Sequence, residues 1–454
     1  MQRFLILICC FATGAAGAQT SIPGKSMGSG PGVTLKESLE LALANSTQLK
    51  KAHLDRNGLE QRLRDGRSAA YPQVNTTLSY DYYPVLPTQL LPGELFGQAD
   101  GTYIPAQFGR PWQLTGIINV EQPLYNESLR RSIPAINVTR AISDLLIERG
   151  ADEVQFNTAQ VFYQTLQTEQ LLHSVDANLE KIDALQRMAE LQLKNGYAIP
   201  TDVKRIRVAR VNLTTQRQNL LAGISALQQT LKFLCGKSYE EPFNPIEEMT
   251  NPAADSAKWQ AVSLESEAST EYRLVLRNLE LNRLQSRSMM AEVYPTLNAY
   301  ATGLFQTQRN DANIFAPNAR WYGMAVLGLK LKVPVFEGLR RRGKIALIGI
   351  ENQKLEEDRK QLLRAKEMEF RQAKTQLQNA LEGLRTQTEN VELAREITDK
   401  LTLQYKEGVA SLTDLLNAQT ARSEAETNYW QQVFTYKLAI LKLLKSAGKI
   451  NALK

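Results

Sequence analysis

The 454-residue chain holds two histidines, His53 and His173, and three cysteines, Cys9, Cys10 and Cys235. Nothing in their spacing suits a metal ion, and both histidines fall in stretches that read as helix. No glycine-rich phosphate loop is present, so an enzyme is a poor reading and no cofactor is expected. What recurs is a glycine followed closely by a carboxylate. Gly196, Ala198, Thr201 and Asp202 return as Gly408, Ala410, Thr413 and Asp414, at a constant offset of 212. Glycine accepts positive φ where a helix ends. A carboxylate just beyond it suits the exposed N–H groups of the next helix start. These residues can turn a helix back sharply and place negative charge at the turn. Ser411 reads as the cap of the second return helix with Asp414 at its third position, and Pro200 precedes Asp202 at the first.

Long elements must carry the two turns. Arg340 to Lys406 is 67 residues without a proline, or about 100 Å of helix. The first copy, about 128–193, is similar, with Pro134 tolerable near its start and Gly150 a soft spot. Pro123 to Gly196 is 73 residues and Pro334 to Gly408 is 74, so the spacing is kept although few side chains match. Return helices follow at about 201–234 and 411–444, each only about 50 Å long. Helices at about 46–68 and 263–293 can supply the missing half, so that each long helix pairs with two short ones stacked end to end. Thr34 and Glu37 form a capping box that opens a further short helix. Helices this long imply coiled-coil packing.

Between the helices the period changes to two. Strands are expected at about 73–83, 112–122, 295–306 and 321–333, each with one apolar face. Leu114, Gly116, Ile118 and Val120 share a face in the second; Leu327, Leu329 and Leu331 do so in the fourth, opposite Lys330 and Lys332. Tyr71, Tyr294, Tyr125 and Phe336 mark one set of ends and Tyr82, Trp112, Phe305 and Trp321 the other. Strands of this length with aromatic girdles fit an outer-membrane barrel; a soluble sheet with aromatic edges is the alternative. Four strands cannot close a barrel, and open edges are not viable in lipid. Two copies would give eight strands with a filled interior. Three give twelve and an open lumen, and three is the expectation. The segment from Pro84 to Pro111, longer than its counterpart by about 12 residues, reads as an outer loop.

Residues 1–18 read as a secretory signal: Arg3, an apolar run from Phe4 to Phe11, then Ala16-Gly17-Ala18. Cys9 and Cys10 would leave with it, although a lipoprotein cysteine is the other reading. Cys235 is expected to be a small buried residue. A linker spans 19–33, a first structural repeat 34–223 and a second 224–454, the first return helix running past that boundary. No later apolar run is long enough for a membrane-spanning helix. The net charge of +7 is spread along the chain, and its densest cluster, Arg340-Arg341-Arg342 with Lys344, has no aromatic interleaving. It reads as a solvated or headgroup-facing patch, and no nucleic-acid partner is expected.

"WYGMAVLGLKLKVPVFEGLRRRGKIA" and "YKEGVASLTDLLNAQTARSEAETNYW", with weaker echoes at "WQLTGIINVEQPLYNESLRRS" and "NGYAIPTDV", resemble the TolC-like outer-membrane efflux protein family. The likeness runs from about Thr34 to about Leu444. It implies a mostly α fold with a β-barrel part: a homotrimer in outer-membrane lipid, a shared twelve-stranded barrel and a periplasmic helical tunnel. A periplasmic adaptor and an inner-membrane pump would dock at the far end. It also places adaptor contacts at Gly196, Ala198, Thr201, Gly408, Ala410 and Ser411. Acidic constriction rings fall at Asp414 and Asn417, the latter departing from the usual second acid. A polar latch falls on Tyr405, Asp202 and Ala410, where the alanine replaces a common arginine. An ordinary helix-start role suffices for both Asp414 and Asp202 on their own chemistry. Three functions are open: export channel of a tripartite efflux system, channel of a type I protein secretion system, or non-conducting periplasmic coiled-coil scaffold.

Overall fold

The computed structural model describes residues 32–247 and 258–453. The expected signal peptide and most of the linker lie outside these residues. Helix α1 (Leu35–Asn45) starts on the reciprocal Thr34–Glu37 capping box, and α2 (Thr47–Ser68) is capped by Ser46. Two helices run far longer. Helix α3 (Glu127–Lys194) passes Pro134 without a break, and α6 (Arg340–Lys406) has 67 residues. Their return partners are α4 (Pro200–Cys235) and α7 (Leu412–Ser446), and α5 (Thr270–Met290) is the remaining long-axis element.

Each long helix packs against its return helix over one half of its length. In that half Arg210 pairs with Asp183 at 2.6 Å and Arg217 with Asp176 at 2.6 Å, joining α4 to α3. In the other half α2 lies on α3, tied by Arg140 to Glu60. Helix α5 lies on both long helices. Arg273 pairs with Glu148 of α3, and Lys366 of α6 with Glu271 at 3.2 Å. The apolar stripes meet in three clusters. One, around Phe162, Leu231 and Leu441, holds the short helix α1. A second, around Leu377, Tyr436 and Leu443, joins α6 to α7. Cys235 is buried in the first, as expected for a small apolar side chain.

The sheet sits at the far end of the long helices. Strands β2 (Gln73–Tyr82), β5 (Trp112–Tyr125), β7 (Thr296–Arg309) and β8 (Tyr322–Lys332) form one antiparallel sheet in the order β2-β5-β7-β8. The short pair β1 (Gly32–Val33) and β6 (Asn244–Pro245) is parallel and separate. Residues 84–111, read from the sequence as a loop, contain a hairpin of β3 (Thr88–Pro92) and β4 (Tyr103–Gln107). In the β2–β5 register Gln73 faces Glu121; in the β7–β8 register Thr296 faces Lys332. The two registers are related by shifts of 223 and 211 residues. Those same shifts carry Tyr71 to Tyr294 and Pro123 to Pro334 in the sequence.

One face of the sheet is apolar across all four strands, and its outer members Leu78, Leu327, Leu329 and Leu331 are exposed. Opposed aromatics fill the gaps at glycines: Phe305 covers Gly116 on this face and Tyr300 covers Gly328 on the other. Tyr80 and Tyr82 stack on Trp112, and Phe305 lies by Trp321, gathering the rings at one end. At the opposite end the sheet meets the helices through a shared Glu-x-Leu-Arg-Arg run. Arg130 and Arg131 clamp Glu127 at 2.7 Å each. Arg341 holds Glu337 at 2.9 Å and Arg340 lies at 3.7 Å. The two guanidiniums, Arg130 first, hold the Glu127 carboxyl down at about 2. Two members of the Arg340–Arg342 cluster are thus spent on the junction.

Candidate functional site

The residues singled out by the sequence meet at the tip, where both long helices reverse. Gly196 has φ +80° and Gly408 φ +76°. A Cβ at either would meet nothing within 4 Å, so backbone conformation alone requires glycine there. Beyond each glycine the next amide closes the helix: Tyr197 N–H donates to the Gln192 carbonyl at 2.8 Å, and Val409 N–H to that of Gln404 at 2.9 Å. This is the Schellman closure.

Asp202 and Asp414 occupy the same place, the third residue of their return helices. Their settings differ. Ser411 accepts from the Asp414 amide at 3.1 Å, and its hydroxyl donates to Asp414 Oδ2 at 2.7 Å. Helix α4 has no side-chain cap and starts on Pro200 instead. Asn417 lies one turn after Asp414, so both sit on one helix face, and both are exposed. Ser411 and Thr201 are exposed, while Ala198 and Ala410 are partly covered.

Tyr405 is buried among Ile182, Leu185, Ala189, Leu412 and Leu415 where the two hairpins meet. Its hydroxyl lies 3.4 Å from Gln192 Oε1, a long contact at the margin of a hydrogen bond. Within the chain it is not bonded to Asp202, the partner implied by the family resemblance. Burial, and secondarily the Asp202 carboxylate, raise the phenol above its ordinary range. A second cross-hairpin tie was not foreseen: Arg205 Nη1 donates to Thr413 Oγ1 at 2.9 Å. Nor were the exposed apolar side chains of the turns, Tyr197, Ile199 and Val409. They stand beside the glycines and could have been found by asking which turn residues lack a buried neighbour.

Above the tip a groove of about 610 Å³ separates α3 and α4 from α7, with Asn178, Asn212, Gln216, Gln419 and Asn428 among its lining. Glu424 adds one charge to these walls, and Ile182, Leu213 and Leu416 make part of them apolar. His53 and His173 are exposed on helices far apart in sequence. No group of three or more His, Cys, Asp or Glu among the described residues could hold a metal, and no helix among them is long and apolar enough to cross a membrane. The tip can turn helices, pack them and present charge.

Residues 277–449 match the family described as "Outer membrane efflux protein". The outer membrane protein TolC of Salmonella enteritidis is 21% identical over 435 residues, covering 92% of this chain and 82% of that protein. The same-named protein of Escherichia coli (strain K12) is 19% identical over 436 residues, with the same coverage of 92% and 82%. Among solved structures, the outer membrane protein VceC of Vibrio cholerae superposes with a TM-score of 0.68 at 15% identity, over 91% of this chain and 96% of that one. The CmeC outer membrane channel of Campylobacter jejuni gives 0.67 at 15% identity, over 91% and 85%. With its glycine-hinged helical tip and its four-stranded apolar-faced sheet, the chain is similar to TolC over most of its length, and its residues 277–449 match the outer membrane efflux protein family.

Proposed function

We infer that three copies of this chain form an outer-membrane channel-tunnel that passes substrates from a periplasmic adaptor and an inner-membrane pump to the outside. The observation that carries this is the sheet. It has four strands, an exposed apolar face and two unpaired edges, β2 and β8, at the end of helices about 100 Å long. In lipid every backbone polar group must be paired, so the edges must meet other copies. Three copies give twelve strands around a lumen.

The helices support the same ring. Helix α5 packs on both long helices, whereas α2 packs on α3 alone among them. The matched registers support reading residues 34–223 and 224–454 as two copies of one unit. In such a unit α2 lacks the second neighbour that α5 has, and the α6 of another copy is the equivalent surface. Six units in a closed ring satisfy each of them.

At the tip, Tyr197, Ile199 and Val409, with the small residues at 198 and 410, fit an adaptor that reads apolar knobs and closely approachable turns. Ala198, Thr201, Ala410, Ser411 and the two glycines remain its contact set. Asp414 and Asn417 would face the axis and narrow it, and one acid per copy would favour cations there. Tyr405 and Asp202 are the gate pair in this reading, with Gln192 and Arg205 added by the structure.

The mass of the purified protein in detergent tests the assembly. A particle of three chains that dissociates on heating is expected. A monomer that stays soluble after the detergent is removed would overturn the reading.

A further inference from the structure

The way the two halves of one chain join fixes, residue by residue, how two copies should join. We propose that β8 of one copy pairs antiparallel with β2 of the next in a single register, with Leu331 facing Leu78, Leu329 facing Tyr80 and Leu327 facing Tyr82. The inference rests on the assembly proposed above and adds the seam itself.

The register follows from the internal join between β5 and β7. There Asn119 faces Thr302 and Val120 faces Ala301. The shift of 211 residues that maps β5 onto β8 takes Asn119 to Lys330 and Val120 to Leu331. The shift of 223 that maps β2 onto β7, reversed, takes Thr302 to Ser79 and Ala301 to Leu78. If the join between copies repeats the join within a copy, Lys330 faces Ser79 and Leu331 faces Leu78.

Three observations that did not enter this construction agree with it. Directly opposed residues of an antiparallel pair share a face. The derived partners on one face are all apolar and all exposed in the single chain: Leu327 at 83%, Leu329 at 68% and Leu331 at 63%, against Tyr82 at 53%, Tyr80 at 48% and Leu78 at 63%. A slip of one residue would set leucines against Ser79 and Asp81, moving one strand's apolar set to the wrong side. Further along, the bulge at Leu124 of the internal join maps to Val335, and the next residue, Phe336, exposed at 81%, falls opposite Val74, exposed at 62%. On the other face Lys330 and Lys332 stand on one edge and Asp81 on the other. None of the three has an ion pair among the described residues. Lys330 and Ser79 take the places of Asn119 and Thr302, whose side chains are hydrogen-bonded at 2.9 Å across the internal join. Lys330 Nζ would donate to the Ser79 hydroxyl in the same way, with Asp81 next on that face.

Paired cysteines read the register directly. Leu329→Cys is combined in turn with Leu78→Cys, Tyr80→Cys and Tyr82→Cys, and the assembled protein is oxidised in membranes. Cys235 is buried, with its thiol pushed up to about 12 by that burial, so it stays silent. Val120→Cys with Ala301→Cys, which face each other within one chain, is the control for oxidation. Directly opposed Cβ atoms lie ~5 Å apart and diagonal neighbours ~7 Å, so the Tyr80 pairing should link chains into dimers and trimers at least about tenfold faster. Fastest linkage to Leu78 or Tyr82, in a protein that still has the mass of three chains, overturns the register and leaves the assembly standing. No linkage in any pairing, with the control oxidised and a single-chain mass, removes both.

Discussion

Arg205 of α4 donates to Thr413 of α7 at 2.9 Å, so the two hairpins at the tip are tied by a bond between their return helices. The corresponding tie between the long helices, Tyr405 to Gln192, is longer at 3.4 Å. The return-helix bond should therefore set the polar part of tip closure. It is solvent-exposed, so its net worth is about 0.5–1 kcal/mol. Arg205→Ala and Thr413→Val should each raise resting conductance about two- to fivefold, and the double variant no further. Additive effects would show that the two side chains act separately.

Tyr405 should act through its ring. It is buried in the core between the hairpins, while among the described residues its hydroxyl has only the long contact to Gln192. Tyr405→Phe should change thermal stability of the tip by less than ~0.5 kcal/mol, and Tyr405→Ala should cost about 3 kcal/mol, within the range for a buried aromatic. Hydrogen exchange at residues 400–415 reads both. A large loss in the phenylalanine variant would restore the hydroxyl as the latch, through Asp202 of this or a neighbouring copy.

The turn glycines should be required for shape and not for space. Nothing lies within 4 Å of a Cβ at Gly408, yet φ is +76°. Gly408→Val should cost about 1–2 kcal/mol of local backbone strain and disturb the turn that presents Val409. Export should fall while the mass of the assembly is unchanged. Loss of the assembly as well would make the glycine a folding requirement.

Midway along the helices Asp152 should make stability fall as pH rises. Burial, then Glu148 and Glu271, push its carboxyl up to about 6. Arg273 and Lys445 oppose the shift. The folded state therefore holds the proton more tightly than the unfolded chain. That contribution is full below the ordinary aspartate value of about 3.8 and is lost as pH rises through about 6. The group is partly exposed, so the penalty at neutral pH is about 1 kcal/mol after allowance for screening. Asp152→Asn should be more stable than wild type at pH 7.5 and equal to it at pH 4 in chemical denaturation followed by helical circular dichroism. Equal stability at both pH values would show that Arg273 and Lys445 already neutralise the site.

Much of this fold is legible in the sequence because its elements are long and their periods clean. The absence of proline from 340 to 406 marks α6, and alternation through Leu327, Leu329 and Leu331 marks β8. The hairpin within 84–111 was hidden because both of its strands contain a proline, Pro92 and Pro105, which argues against a strand until the partner is seen. Gly196, Gly408 and Asp414 stood out because each answers to a local rule about helix ends. Gln192 and Arg205 obey no such rule. Their partners lie 213 and 208 residues away, and only the packing of the two hairpins brings them together. The Arg340–Arg342 cluster read as a free patch because the acid it serves, Glu337, belongs to the turn before the helix.

Single-channel recording of the purified protein in a planar bilayer tests the central claim most directly. An assembly of three chains around a continuous lumen should give discrete conductance steps. Cation preference across a salt gradient should decline in Asp414→Ala, where the charged ring is removed. Protein that reaches the bilayer, keeps its helical content and gives no steps, in wild type and in the Arg205→Ala variant alike, would contradict the channel and leave a non-conducting scaffold.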